Sequence, residues 1–154
     1  MRAGTARHLI NLWPPFLFTG IHATRISADW REVDVELRGR WYNRNYVGTH
    51  FGGSMFAMTD PWFMLMLIHL MGPAYYVWDQ AATIEFIAPG RGTVSARFRL
   101  DDATLADIRQ RTADGAKYLP EFVVEVRDAK DQLVARVKKT LYVRRKPAAR
   151  GDGG

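Results

Sequence analysis

The chain of 154 residues contains no cysteine, and its four histidines follow no metal-binding spacing. The missing thiols exclude disulfides, thiolate metal sites and a cysteine nucleophile, and they fit a reducing compartment. We therefore expect neither a metal nor another cofactor. Stability must come from packing, and a hydrophobic content of 47% is enough for one well-filled core.

The amino terminus also lacks the pattern of a secretory signal, because Asn11, Pro14 and Pro15 interrupt its apolar residues. This predicts a cytoplasmic protein. The net charge of +6 would suit an anionic partner, but much of the excess lies near the carboxyl end and no nucleic-acid motif accompanies it. We interpret this charge as a solvated strand edge and tail, and expect no nucleic-acid partner.

The remaining sequence predicts a sheet with one dominant helix. Residues 1–18 form an N-terminal helix and arm, residues 19–145 a single domain, and residues 146–154 a disordered tail. Alternation of apolar and polar residues predicts strands at 20–30, 31–41, 75–88, 93–100, 121–127 and 132–143. A small second helix, capped by Asp102, ends at Gly115. The predicted class is α+β.

Residues 54–71 are apolar on almost every side, so a helix formed by them must be buried on every side. A membrane span is the rival interpretation, since about eighteen apolar residues can cross a bilayer. However, Asp60 and Pro61 interrupt the segment, and its flanks are typical of strands. We expect a helix wrapped by the sheet and no membrane span, with a kink at Asp60 because proline disfavours helical geometry in the residue before it.

Gly52 and Gly53 immediately precede this helix. Glycines allow close backbone approach, and the first N–H groups of a helix lack internal partners, so such a pair suits an oxyanion or phosphate. Asp60 lies about two turns further on, on the same face as the helix start. Its carboxylate would act as a general base or a nucleophile. The structural alternatives are a simple tight turn at the glycines and a cap at Asp60 for a helix beginning at Pro61.

His50, in the same loop, is a second candidate catalyst, with a hydrogen-bonded structural role as an equal alternative. Asn45 and Thr49 are expected to brace the loop through bonds from side chain to backbone. His69 is expected to be a core or interface residue.

The loop and the helix start resemble a known pattern, N-x-x-G-T-x-H-G-G followed seven residues later by aspartate. It belongs to the phenylacetate-pathway type of hotdog-fold acyl-CoA thioesterase, and the matching residues are Asn45, Gly48, Thr49, Gly52, Gly53 and Asp60. The stretch 83–90, TIEFIAPG, also resembles the strand after the central helix in that family. The resemblance extends over residues 20–143.

The resemblance implies a hotdog fold, in which an antiparallel sheet curls around one long helix. It also implies a homodimer or homotetramer whose active sites lie between subunits and bind acyl-CoA. By position, Asp60 would be the general base or nucleophile and Gly53 would supply the N–H for the oxyanion. Asn45 would help to position the water or the loop, and His50 would assist.

Four further residues, Thr49, Phe51, Gly52 and Thr83, would contact the substrate. The sequence departs from the pattern at one point, because Phe51 occupies the histidine position and the histidine stands one place earlier, at His50. In an extended loop this step turns the side chain the other way.

Two functions of different classes follow. The first is hydrolysis of an acyl-CoA thioester, in which Asp60 activates water against a carbonyl polarised by the Gly53 amide. The second is non-catalytic binding of acyl-CoA or lipid, favoured by Phe51 and by the many Trp, Phe and Met side chains around the helix. A purely structural oligomerisation domain is a third alternative.

Overall fold

The alternating segments of the sequence form one antiparallel sheet. A computed structural model describes residues 1–147, so residues 148–154 of the predicted tail lie outside the described residues. The strands are β1 (Ile21–Ile26), β2 (Glu32–Arg38), β3 (Tyr75–Phe86), β4 (Thr93–Arg99), β5 (Lys117–Tyr118), β6 (Glu121–Asp128) and β7 (Leu133–Arg145). Their order in the seven-stranded sheet is β1-β2-β4-β6-β7-β3, and the short β5 pairs with β7.

Five helices of the described chain pack against this sheet or connect its strands. They are α1 (Ala3–Leu12), α2 (Pro14–Leu17), α3 (Gly52–Ala57), α4 (Trp62–Met71) and α5 (Asp102–Arg111). The inward side chains of the strands and of α3 and α4 form the main hydrophobic core, in which Trp62, Met66 and Leu67 are fully buried. Packing inside the sheet therefore accounts for the apolar sequence of the central segment.

The segment Gly52–Met71 has the length and hydropathy of a possible membrane span, but 56% of its most apolar window is buried inside the protein. Core helices of ordinary globular domains have the same property. One such segment is therefore weak evidence for a membrane.

The expected kink at Asp60 and Pro61 is confirmed, because residues 58–61 separate α3 from α4. Local hydrogen bonds satisfy polar groups at the break. The Asp60 N–H donates to the Ala57 carbonyl at 3.2 Å, and the buried Trp62 indole donates to the Met58 carbonyl at 2.8 Å. Pro61 has no N–H to donate to the Ala57 carbonyl, and the Asp60 N–H bonds to that carbonyl instead.

Strand β3 contains a β-bulge. Asp79 pairs with Leu141 and Ala81 with Thr140, so Gln80 is the extra residue. Side chains alternate along a strand, and the bulge shifts this alternation by one residue. As a result, Val77 and Asp79 are partly buried before the bulge, and Ala82 and Ile84 are partly buried after it.

Several details differ from the sequence prediction. Residues after Trp13 form a further helical turn, α2, because Pro14 occupies the first helical position, where no N–H donor is needed. The cap of α5 is Asp101 rather than Asp102, since the Asp101 carboxylate accepts from the Thr104 N–H at 2.8 Å. The two-residue strand β5 was not expected, because it is too short to give an alternating pattern.

Candidate active site

Asp60 lies in the break between α3 and α4 and belongs to neither helix. Its side chain is 65% exposed, although helices on both sides of it are largely buried. The first turn of α4 has no side-chain cap, so the alternative role of Asp60 as a helix cap is not observed. Its carboxylate is instead bound by Lys139 of strand β7, whose Nζ lies 3.0 Å from Oδ1.

Lys139 is fully buried and has three oxygen neighbours. Besides Oδ1 of Asp60, its ammonium donates to the Asp60 main-chain carbonyl and lies 3.0 Å from Oδ1 of Asp79. The contact with Asp79 has the length of an ion pair but not the angles of a hydrogen bond. Burial raises the pKa of Asp79 above its usual value, and the Lys139 ammonium opposes that rise.

Asp60 and Gly53 line the same cleft, as the spacing of the sequence predicts. The cleft has a volume of about 290 Å³, and its other walls are apolar: Trp13, Pro15, Phe16, Phe56 and Ala57. Three of these residues come from the N-terminal arm, which is anchored by the buried Phe16 ring against Trp62, 5.8 Å between centroids. A carboxylate and a helix start therefore meet beside an apolar surface.

The glycine pair forms the first turn of α3. Phe51 precedes it with an extended backbone and accepts from the N–H groups of Ser54 and Met55. Within the described residues, the Gly52 and Gly53 N–H groups donate to no protein acceptor. A Cβ on Gly53 would lie 2.5 Å from the Phe51 ring, and one on Gly52 would lie 2.8 Å from the Phe86 ring. In each case the neighbouring atoms belong to the outer part of an exposed ring, so a larger residue would require that ring to move.

His50 and Asp60 line different clefts on the two sides of the glycine pair, His50 with Gly52 and Asp60 with Gly53. His50 is buried, its Nε2 is 2.6 Å from the Gly92 carbonyl oxygen, and its main-chain N–H donates to the Gly90 carbonyl. Burial lowers the pKa of His50, the Gly92 carbonyl partly opposes this effect, and the Arg44 charge adds to it. The side chain thus holds the turn to the loop 87–92, whereas Phe51 is 59% exposed beside Gly53.

Asn45 braces the loop as predicted. Its amide nitrogen donates to Thr49 Oγ1 at 2.8 Å and to the His50 carbonyl at 3.2 Å, and its amide oxygen accepts from the N–H groups of Val47 and Thr49. Asn45, Thr49, His50 and Gly52 line a second cleft of about 410 Å³, together with residues 86–90. The Thr83 side chain is exposed on the edge strand and lines neither cleft.

Sequence reasoning missed Lys139, Asp79 and the contribution of the arm to the Asp60 cleft. One signal was available for Lys139. Strand β7 buries alternate residues, and Lys139 stands at an inward position between Val137 and Leu141. A lysine at such a position requires a buried partner.

The described residues contain no group of three or more His, Cys, Asp or Glu side chains that could hold a metal ion. The groups in the Asp60 cleft that can take part in chemistry include the Asp60 carboxylate and the Gly53 main-chain N–H.

Solved structures with this architecture include several thioesterases. PA5026 of Pseudomonas aeruginosa, a protein of unknown function described as a probable thioesterase, is 19% identical with a TM-score of 0.81, over 94% of this chain and 97% of that one. The thioesterase HI1161 of Haemophilus influenzae is 14% identical with a TM-score of 0.67, over 93% and 90% of the two chains.

A third such structure is a mutant form of the thioesterase PA1618, also of Pseudomonas aeruginosa, which is 10% identical with a TM-score of 0.67 over 92% and 93% of the two chains. At these identities the likeness establishes the fold. Curated proteins give no significant match.

A family model described as "Domain of unknown function (DUF4442)" matches residues 3–143, which include the arm, the central helix and almost the whole sheet. The chain therefore belongs to the DUF4442 family, and its antiparallel sheet around a central helix is the hotdog fold.

Proposed function

We propose that this protein hydrolyses acyl-CoA thioesters in the cleft between Asp60 and Gly53. The observation that carries the proposal is that Asp60 and Gly53 line one apolar cleft, where the Gly53 N–H donates to no acceptor in the described part of the chain. An acyl thioester presents matching features, namely a carbonyl carbon open to attack, an oxygen that becomes negative and an apolar chain. The thioesterases with the same fold support this choice.

In the proposed reaction, Asp60 takes a proton from water while the water oxygen attacks the thioester carbonyl carbon. The Gly53 N–H donates to the developing oxyanion. The tetrahedral intermediate then collapses, the C–S bond breaks, and the proton passes from Asp60 to the departing sulfur. The products are a carboxylic acid and free coenzyme A. Direct attack by Asp60, with an anhydride intermediate, is the alternative use of the same carboxylate.

Other loop residues have supporting roles in this proposal. Asn45 and His50 hold the glycine turn in place, and Thr49, Phe51, Gly52 and Thr83 remain candidate substrate contacts. Arg91 reaches the loop from the opposite strand connection, with Nη1 3.4 Å from the Gly48 carbonyl, and supplies positive charge for coenzyme A phosphates. The site would act in the cytoplasm, where acyl-CoA is available.

We also propose that the protein is at least a homodimer joined through β3. The two sheet edges differ, because the Asn11 amide covers β1 by bonding the Ala23 N–H at 2.8 Å and its carbonyl at 3.0 Å. Within residues 1–147 no strand pairs with the outer edge of the 12-residue β3, and its Tyr76, Trp78 and Phe86 side chains are about half exposed. Such an edge favours pairing with a second chain. Light scattering at micromolar concentration should give at least twice the monomer mass, and a monomer would contradict the proposal.

The decisive experiment for the enzymatic function is Asp60→Asn, which keeps the size of the side chain. Turnover of a panel of acyl-CoA thioesters should fall by about two orders of magnitude or more, while binding of a non-hydrolysable acyl-CoA analogue stays within about threefold. Asp114→Asn, an exposed aspartate distant from the cleft in sequence, is the matched control and should keep full activity.

The second candidate function is non-catalytic binding of acyl-CoA. It is favoured by the Phe51 ring, which lies against Gly53 on the side where a Cβ would stand. Tight binding of the analogue by the wild-type protein, with no turnover of any thioester in the panel, would select this function instead.

A further inference from the structure

Lys139 is a buried cation, and the oxygens around its ammonium come from two residues, Asp60 and Asp79. A lone ammonium in a protein interior is very unfavourable, so its position must be determined by its neighbours. An ammonium has three N–H donors, and three oxygens surround this one: the carbonyl and Oδ1 of Asp60, and Oδ1 of Asp79. Two of the three belong to a single residue, Asp60.

The exposures of these three side chains are unequal. Lys139 is 0% exposed, Asp79 is 25% exposed and Asp60 is 65% exposed. The ammonium therefore approaches Asp60 from the protein interior and binds one carboxylate oxygen. Within the described residues, the other oxygen of Asp60 has no protein partner. One oxygen is thus fixed by the ammonium, and the other remains without a protein partner in a residue that lines the cleft.

The same ammonium also fixes the main chain of Asp60. Because of the break between α3 and α4, the Asp60 carbonyl accepts no regular helical hydrogen bond. It accepts one from the Lys139 ammonium instead. Lys139, which is 79 residues from Asp60 in the sequence, therefore holds both the main chain and the side chain of Asp60. Asp79 lies just before the bulge, on the inward face that it shares with Val77, and balances the remaining charge.

We propose that Lys139 is the positioning residue of Asp60, holding its carboxylate toward the cleft in the orientation needed to act on a water molecule. This inference rests on the proposed hydrolytic function of Asp60. Lys139 itself touches no substrate and acts only through Asp60. Asp79 keeps the ammonium in place from the side of the edge strand.

Lys139→Met tests this role, because methionine has a similar length and no charge. We expect kcat to fall at least about tenfold with KM changed less than about threefold, since a misplaced base affects the reaction more than binding. Lys138→Met is the matched control. Its ammonium is half exposed and pairs with Glu121 at 2.9 Å on the outer face, so turnover should not change.

A second variant guards against loss of folding. Lys139→Met leaves Asp79 without a cation, whereas Lys139→Met combined with Asp79→Leu replaces the buried ion pair by apolar groups, a change that folded proteins often tolerate. This double variant keeps Asp60 but removes the hydrogen bonds that Lys139 donates to it. It should show the same loss of kcat as the single variant.

Combination with Asp60→Asn separates positioning from general damage. If Lys139 acts only through Asp60, adding Lys139→Met to Asp60→Asn should change the residual rate by less than about twofold. A folded Lys139→Met/Asp79→Leu protein with wild-type kcat would overturn the positioning role. Failure of the proposed function would be seen separately, as full turnover in Asp60→Asn alone.

Discussion

The two sides of the glycine turn differ in how their ionisable groups are used. On one side, Asp60 is exposed to an apolar cleft and is held from behind by a buried ammonium. On the other, His50 is buried, and its ring is bonded to a main-chain carbonyl. The contrast teaches that nearness to a glycine motif does not determine function. The exposure of the side chain does, because the Asp60 side chain is 65% exposed, whereas His50 is buried together with its Nδ1, which has no partner in the described residues.

Among the variants that test this contrast, His50→Ala should have the largest effect, and the effect should be on the free energy of unfolding. His50→Ala removes the bond to Gly92 and leaves a cavity beside Gly90 and Met55, so the free energy of unfolding should fall by about 2 kcal/mol or more. Turnover per folded molecule should stay within about threefold of wild type. Urea denaturation and steady-state kinetics measure the two quantities.

The exposed His8 on α1 provides the matched control, and His8→Ala should change the free energy of unfolding by less than about 0.5 kcal/mol. A His50→Ala protein with normal stability and a hundredfold loss of turnover would assign His50 to catalysis, and the two sides of the turn would then be alike.

A smaller effect concerns pH. Because burial lowers the pKa of His50 in the folded state, the unfolded chain binds the proton more readily. Its contribution to stability is therefore present above the unfolded pKa of about 6.5 and is lost as pH falls below that value. The slope of stability against pH in the acidic range should be shallower in His50→Ala than in wild type. Equal slopes in the two proteins would show that His50 does not cause this pH dependence of stability.

The smallest effect is expected at Phe51, on the boundary between the two clefts. Its ring is more than half exposed, so Phe51→Ala should lower the free energy of unfolding by less than about 1 kcal/mol. Removal of the ring uncovers Gly53, and kcat/KM should rise by about threefold or less. A rise in KM instead would identify Phe51 as a substrate contact.

Features determined by neighbouring residues could be predicted from the sequence. Proline acts on the residue before it, so the break at Asp60 follows from Pro61 alone. The bonds of Asn45 within its own loop are equally local. Alternation located the longer strands, and the spacing between Gly53 and Asp60 placed both residues in one cleft.

Features that depend on distant pairing could not be predicted in the same way. Lys139 meets Asp60 only after β7 has packed behind the central helix, and Asp79 joins them only through the pairing of β3 with β7. The bulge at Gln80 also has no sequence pattern of its own here. The arm also reaches the cleft through tertiary packing of Phe16 against Trp62 rather than through a motif.

The bulge at Gln80 has a consequence for changes in chain length. Inside and outside positions on a strand depend on whether the number of residues between them is odd or even. Loss of the single residue Gln80 would join Asp79 to Ala81 and restore an unbroken alternation, with Asp79, Ala82 and Ile84 still on the inward face. Loss of two residues at the same place would instead turn one half of β3 over relative to the other half. At the bulge, this edge strand should therefore tolerate the loss of one residue better than the loss of two.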